Sequence, residues 1–369
     1  MVILFNSYRS QKNDINYRTP IWLCPNLWAL CSVFYLLLCG CSQQNHKNSP
    51  TLIKLSGDAL GTTWLVKVLS DKAFDKEKLQ MYIIRKLEET DKIFSHWRPD
   101  SELFQFNANP TTNDTVVHPQ LHNLLKHAQW MHRETDGAFD PTLGALVNLW
   151  GFGPEGKTRS TLPTEQQIKD VQRIIGLENL EISQNGNIRK KVSALQLDLS
   201  GSAKGEIIDQ ISNLLDRLNF HNFLVEIGGE VRAQGKGRNG NGWIVGLETG
   251  GSREIDLISV PLRNYAVATS GTYRLKKTNP KSTRNASHLL NPKTGLPIEH
   301  NLIAVNAFAP TARDADAWAT ALMVMGQKEG MKKVEQMDLV VRFCEEVDGV
   351  IEINTSTAYQ RVFSTENNL

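Results

Sequence analysis

The spacing of apolar and polar positions divides the chain into three stretches of different character. Residues 1–40 carry Arg9, Lys12 and Arg18 ahead of an apolar run from Ile21 through Leu38, the order of an export signal rather than of a folded element. Residues 41–56 open with the polar run Ser42 to Pro50, which has no hydrophobic period and is expected to act as a flexible tether. From residue 57 to residue 360, periods of 2 and 3.6 alternate without a further break. Thr62 to Leu69 alternates like a strand, and Asp75 to Phe94 places Leu79, Ile83, Leu87 and Phe94 at helical spacing. Pro119 to about Thr135 predicts a second helix with Leu121, Leu124, Leu125, Ala128 and Met131 on one face, stopping near Gly137. Thr164-Glu165-Gln166-Gln167 spells a capping box, and the helix it opens should end by Gly176. Leu180 to Ile182 and Ile188 to Val192 flank the turn pair Asn185-Gly186, and Leu195 to Leu199 reads as the next strand. Ala203 to Leu218 is helical, Phe223 to Ile227, Trp243 to Leu247 and Leu302 to Phe308 are strand-like, and Asp314 to Met325 is an Ala-rich helix. The mixed order, with no internal repeat, predicts one α/β (α+β mixed) catalytic-sized domain, with two sub-lobes around a cleft as a variant of it.

Composition narrows the partners. Once residues 1–40 are set aside, 38 basic and 38 acidic residues balance, and no Lys/Arg run is long enough for a polyanion, so nucleic acid is excluded as a partner. The apolar run ends in Leu38-Cys39-Gly40-Cys41-Ser42, which resembles the bacterial lipobox; Cys41 is the expected lipidation site, on the periplasmic face of a bacterial membrane. An uncleaved membrane helix is the competing reading, weakened by the short run and by Pro25 and Asn26 inside it. Cys24, Cys31 and Cys39 fall in the signal, which leaves Cys344 in an apolar run as a core residue and rules out an internal disulfide or a CxxC site.

Four groups of residues could carry chemistry. Asp198 to Gly205 and Glu226 to Glu230 are Gly-rich and follow apolar runs; the first opens a helix, so its backbone N–H groups and Lys204 could meet a phosphate, although neither cluster is a Walker A loop or a GxGxxG. Taken alone, ordinary glycine turns explain them as well. Asp316 and Thr320 stand four apart on one face of a helix, enough for a magnesium ion that keeps waters and shares phosphate oxygens, and equally readable as dipole compensation and backbone bonding. His288 precedes the turn-rich run Asn291 to Pro297 and is a candidate general base. His118, His122, His127 and His132 read as mainly surface residues. Trp97, Phe139, Trp150 and Phe152 combine aromatic walls with turns, suited to a flat heterocycle or to core anchoring.

In order along the chain, Gly61-Thr62-Thr63-Trp64, Asp100 to Asn107, Thr135 to Thr142 with Leu149 to Pro154, Asp198 to Gly205, Gly228-Gly229, Ala268 to Arg274, His288 to Pro297 and Ala315 to Thr320 together resemble the ApbE family, the FAD:protein FMN transferases. The resemblance implies FAD contacts at Leu60, Trp97, Ala138, Phe139, Asp140, Asp198, Lys204 and Val267, with Leu60 where methionine is common and Trp97 where tyrosine is common. It implies Mg2+ held by the main-chain carbonyl of Gly201 and the side chains of Asp316 and Thr320, and a reactive-site role for His288. Acceptors would be exported flavoproteins, such as membrane subunits of Na+-translocating NADH:quinone oxidoreductase or related electron-transfer complexes. A magnesium-dependent FAD pyrophosphatase and a non-catalytic flavin-binding lipoprotein are the alternatives.

Overall fold

The computed structural model describes residues 50–156, 161–249, 257–272, 276–277 and 286–363, and Thr51–Leu369 cluster by their contacts as one unit. Cys41 and the expected signal lie outside the described residues. Chain order is β1 (Thr51–Ala59), β2 (Thr62–Ser70), α1 (Lys76–Phe94), α2 (Glu102–Ala108), β3 (Thr115–Val116), α3 (Pro119–Glu134), α4 (Gly144–Leu149), α5 (Glu165–Gln172), β4 (Leu180–Ile182), β5 (Asn187–Lys190) and α6 (Ala203–Arg217). There follow β6 (Phe223–Ile227), β7 (Glu230–Gln234), β8 (Trp243–Glu248), β9 (Leu257–Leu262), β10 (Tyr265–Gly271), β11 (Lys276–Lys277), β12 (Ala286–Ser287), β13 (Leu302–Ala309), α7 (Ala312–Gln336), β14 (Val340–Val347), β15 (Val350–Thr355) and α8 (Thr357–Phe363).

An 8-stranded antiparallel sheet, β1-β2-β6-β7-β10-β13-β14-β15, is the spine. Because side chains alternate faces along each strand, the sheet builds two cores. On one face Val66, Val225, Ala266, Ala268, Val305 and Phe343 meet the apolar stripes of α1, α3, α6 and α7. On the other, Leu224, Val231, Val267, Phe308 and Val340 are covered by the β8–β9 hairpin and by α8. Four of these helices begin where capping side chains satisfy their first N–H groups: Asp75 for α1, Ser101 for α2, a Thr164–Gln167 capping box for α5 and Thr311 for α7. None of the described helices is long and apolar enough to cross a membrane.

Three expectations are corrected here. The tether does not reach residue 56, since β1 starts at Thr51 and pairs with β2 from Thr51↔Ser70 onward; it is an edge strand with only Leu55 fully buried, too weak an alternation to be seen without its partner. Leu195 to Leu199 is extended but joins no ladder beyond an isolated bridge at Gln196; its alternate leucines are buried as expected, while its backbone is satisfied by Asn107 and by loop groups. The Ala-rich helix is also longer than Asp314 to Met325, running on to Gln336 through a kink at Gly326, φ 76°.

Candidate active site

The chemistry-bearing residues gather where α6 and α7 start side by side on the helical face of the sheet. Thr311 caps α7 by accepting the Asp314 N–H, so one turn on Asp316 points inward and two turns on Thr320 follows it. Thr320 Oγ1 lies 3.5 Å from the Gly201 carbonyl oxygen and 3.3 Å from Ser270 Oγ on β10. Gly201 is hemmed in: a Cβ there would lie 3.1 Å from the Phe139 ring and 3.0 Å from Thr320 Cγ2. Phe139, Gly201, Thr320 and Ser270 therefore share one spot.

Asp316 accepts the Gly205 N–H at 3.0 Å and is almost fully buried. Burial above all pushes its carboxyl up to about 7, with the neighbouring negative charges of Glu230 and Asp209 adding to this and Lys204 and the Gly205 N–H opposing it. Lys204 Nζ donates to Glu230 Oε1 at 2.9 Å. Two buried oxygens beside this cluster, Ser202 Oγ and Glu230 Oε2, have no hydrogen-bond partner, and Ser202 leaves the start of α6 without a side-chain cap. Buried carboxylate oxygens, a hydroxyl and a carbonyl, in a setting that resists a naked negative charge, form a hard-oxygen donor set of the kind magnesium takes. The residues present thus fit the group the resemblance implies.

A second layer flanks this spot. Burial raises Asp140, which is held by the Thr142 N–H and hydroxyl. Its loop backs onto the next segment through Asp198 N–H to the Pro141 carbonyl, 2.8 Å, and the Asp198 carboxylate accepts the Ser200 N–H and lies 3.9 Å from His96 Nδ1. A cleft lined by His96, Asn107, Val147, Asn148, Gly153 and Asp198 opens there. Trp97 is 46% exposed, next to His96, a placement that core anchoring does not account for.

Ala138 shares the Asp140 loop. Leu60 forms with Gly61 the two-residue turn between β1 and β2, at φ 56° and 72°, and the Gly228 N–H donates to the Thr63 carbonyl close by. His288 meets the Phe152 ring edge-on at 6.3 Å, and Trp150 Nε1 donates to the Gly295 carbonyl in the same loop. Val267 is placed differently: it is 2% exposed in the second core, on the sheet face opposite Ser270 and Thr320, so only its backbone could reach a ligand on the helical face.

The helix histidines are not surface residues throughout. His122 is buried with Nε2 2.7 Å from the Ser183 carbonyl, His127 Nε2 is 2.8 Å from Asp314 Oδ1, and His132 Nδ1 is 3.1 Å from the Phe139 carbonyl. Their partners lie far along the chain or across a loop, which spacing within one helix does not reveal. Sequence reasoning also missed Ser270 and Asp209, and it singled out the Glu226 to Glu230 cluster without the Glu230–Lys204 pairing. Ser270 sits inside the Ala268 to Arg274 motif, and strand alternation with Ala266 and Ala268 was the signal that put it on the helical face.

Comparison with known proteins agrees over most of the chain. The chain is 33% identical over 340 residues to the FAD:protein FMN transferase of Haemophilus influenzae, covering 90% of this chain and 96% of the relative. It is 34% identical over 340 residues to that of Vibrio cholerae, covering 91% and 99%. The solved flavin transferase ApbE from Vibrio cholerae superposes with a TM-score of 0.79 at 34% identity, covering 85% of this chain and 99% of that one. The apo flavinyl transferase ApbE of Pseudomonas stutzeri gives 0.78 at 31%, covering 85% and 97%. With the ApbE family model matching residues 60–343, the collinear motifs, the sheet and the site all lead to one conclusion: the chain belongs to the ApbE family.

Proposed function

We propose that this protein binds FAD and transfers its FMN half to a threonine or serine hydroxyl of an acceptor protein, releasing AMP. The observation that carries this reading is the Thr320 hydroxyl 3.5 Å from the Gly201 carbonyl, with the buried Asp316 carboxylate one turn before Thr320 on α7 and bonded to the Gly205 N–H at the start of α6. Those three residues would hold Mg2+, which when bound would supply positive charge to the diphosphate as AMP leaves. The chain's own groups do the rest. The Lys204 ammonium would stand toward the phosphates, Asp140 and Asp198 anchor the loops on either side, and the exposed Trp97 would offer a face to the isoalloxazine or adenine ring, while Phe139 is buried behind Gly201.

In the reaction the acceptor oxygen bonds to the phosphorus on the FMN side, the bond from that phosphorus to the AMP oxygen breaks, and the hydroxyl proton leaves. His288, in the turn-rich loop beside Phe152, is the residue proposed to take or orient that proton. The product is a phosphoester-linked FMN on the acceptor. Cys41 is proposed to carry a lipid that keeps the enzyme at the periplasmic face of a membrane, close to membrane flavoprotein subunits of the Na+-translocating NADH:quinone oxidoreductase kind.

The test incubates the protein with FAD and Mg2+, with and without a threonine-bearing acceptor, and follows acceptor mass and AMP. A mass gain of one FMN that disappears in Asp316→Ala supports the reading. AMP release that ignores the acceptor makes the protein a pyrophosphatase, and no AMP in either case makes it a binder.

A further inference from the structure

The two helices that carry the site hold each other by their starts. Gly205 and Asp209 are one turn apart on α6, as are Ala312 and Asp316 on α7. Asp316 of α7 accepts the Gly205 N–H at 3.0 Å, and Asp209 of α6 accepts the Ala312 and Arg313 N–H groups at 2.9 and 3.0 Å. The helices touch at this crossing: a Cβ on Gly205 would stand 2.2 Å from the Ala312 carbonyl oxygen.

Thr311 satisfies the next N–H of α7, that of Asp314, from within its own chain segment, so Asp209 alone supplies the interhelical part of the cap. Arg232 on β7 pairs with Asp209 and holds its carboxylate against the sheet. Extending each helix by one more turn gives Gly201 before Gly205 and Thr320 after Asp316, the two oxygen donors that lie 3.5 Å apart. Asp209 thus stands one turn behind the donor set, in a buried position, and fixes the sliding of α7 along α6.

We propose that Asp209 is a positioning residue for the metal site: through the Ala312 and Arg313 N–H groups it sets the height of Asp316 and Thr320 on α7 relative to Gly201 before α6. This rests on the magnesium reading of the site given above. Outer groups that orient metal ligands commonly change metal affinity by about 10- to 100-fold when removed.

The experiment compares the parent protein, Asp209→Asn and Leu215→Ala, the last removing a buried leucine of α6 far from the donors. Mg2+ binding is read in the presence of FAD by isothermal titration and by the Mg2+-induced rise in Tm, with FMN transfer followed across Mg2+ concentrations. Asp209→Asn should need about tenfold more Mg2+ for half-saturation and recover most of its kcat at high Mg2+. Leu215→Ala should lose at least as much Tm and keep the parental Mg2+ curve. Superposable curves for Asp209→Asn and parent overturn the proposal, as does an equal shift in Leu215→Ala. Should Asp209→Asn not fold, Asp209→Glu, which keeps both acceptor oxygens but displaces them by a methylene, is read against the same two outcomes. A parent with no Mg2+ response removes the site reading itself, which separates that failure from failure of the positioning role.

Discussion

Asn107 treats Leu197 as a neighbouring strand would: its side-chain Nδ2 donates to the Leu197 carbonyl and its Oδ1 accepts the Leu197 N–H, both at 2.8 Å. The residue after Leu197 is Asp198. One amide side chain on α2 therefore stands in for a ladder partner and sets the direction in which the Asp198 carboxylate leaves the backbone.

Replacing Asn107 by alanine strands two half-buried backbone groups, and each lost partner costs about 1–3 kcal/mol. The expected outcome is a fall in Tm of several degrees together with weaker FAD binding, followed by flavin fluorescence. Unchanged FAD affinity in the presence of a lowered Tm would detach Asn107 from the flavin cleft.

Lys190 is 1% exposed, with Nζ donating to the Asn107 and Asn109 carbonyls at 3.1 and 2.9 Å and standing 4.8 Å from the centre of the Phe106 ring. Burial lowers its pKa to about 8. Between that value and the ordinary lysine value near 10.5 the unfolded chain binds the extra proton, so stability rises with pH through this window and the burial cost is fully felt below it. Denaturant unfolding from pH 7.5 to 10 should show this rise, of at most about 3 kcal/mol, and Lys190→Met should flatten it. An equal slope in both proteins rules Lys190 out as its source.

Gly201 and Gly205 differ in what a methyl group would meet. At Gly205 it strikes the Ala312 main chain at 2.2 Å, and Gly205→Ala should cost more than about 3 kcal/mol or abolish folding, because the α6–α7 crossing must open. At Gly201 it meets only side-chain atoms, of Phe139 and Thr320, at 3.0 to 3.2 Å. Gly201→Ala should therefore fold, with a Tm within a few degrees of the parent, and lose most FMN transfer. Circular dichroism and the mass assay measure both, and a fully active Gly201→Ala would place the chemistry elsewhere.

Trp97 contributes little to the core, being 46% exposed, and yet stands beside His96, which lines the cleft at Asp198. Trp97→Ala should leave Tm nearly unchanged and weaken FAD binding by about 0.5–1.5 kcal/mol, the scale of a lost aromatic stacking contact. A drop in Tm with intact FAD affinity would reverse that assignment.

The parts of this fold that announce themselves in sequence are those whose cause is local. β2, α1, α3, α6 and the β4–β5 hairpin have one buried face, a cap or a turn pair within reach of a short window. β7, β10 and β14 are buried on both faces, so alternation fades, and Glu230 and Arg232 interrupt an apolar pattern because their partners Lys204 and Asp209 lie on a helix more than twenty residues away. Leu195 to Leu199 shows the converse: the pattern was that of a strand, and a side chain took the strand's place. In the site, Asp316 and Thr320 were legible as an i, i+4 pair, and Gly201, Lys204 and Asp198 through their motif. Ser270, His127 and Asp209 act across distances in the chain that only the folded sheet closes.

The turn at Leu60 and Gly61 has a consequence of its own. A left-handed backbone suits asparagine or glycine far better than leucine, and holding leucine there costs on the order of 1 kcal/mol. The β1–β2 hairpin is thus a little less stable than its length would permit, with its tension concentrated at a half-buried leucine that packs against the main core. Leu60→Asn would ease the backbone there and surrender the leucine's core packing, so at this one turn conformational comfort and apolar contact pull in opposite directions.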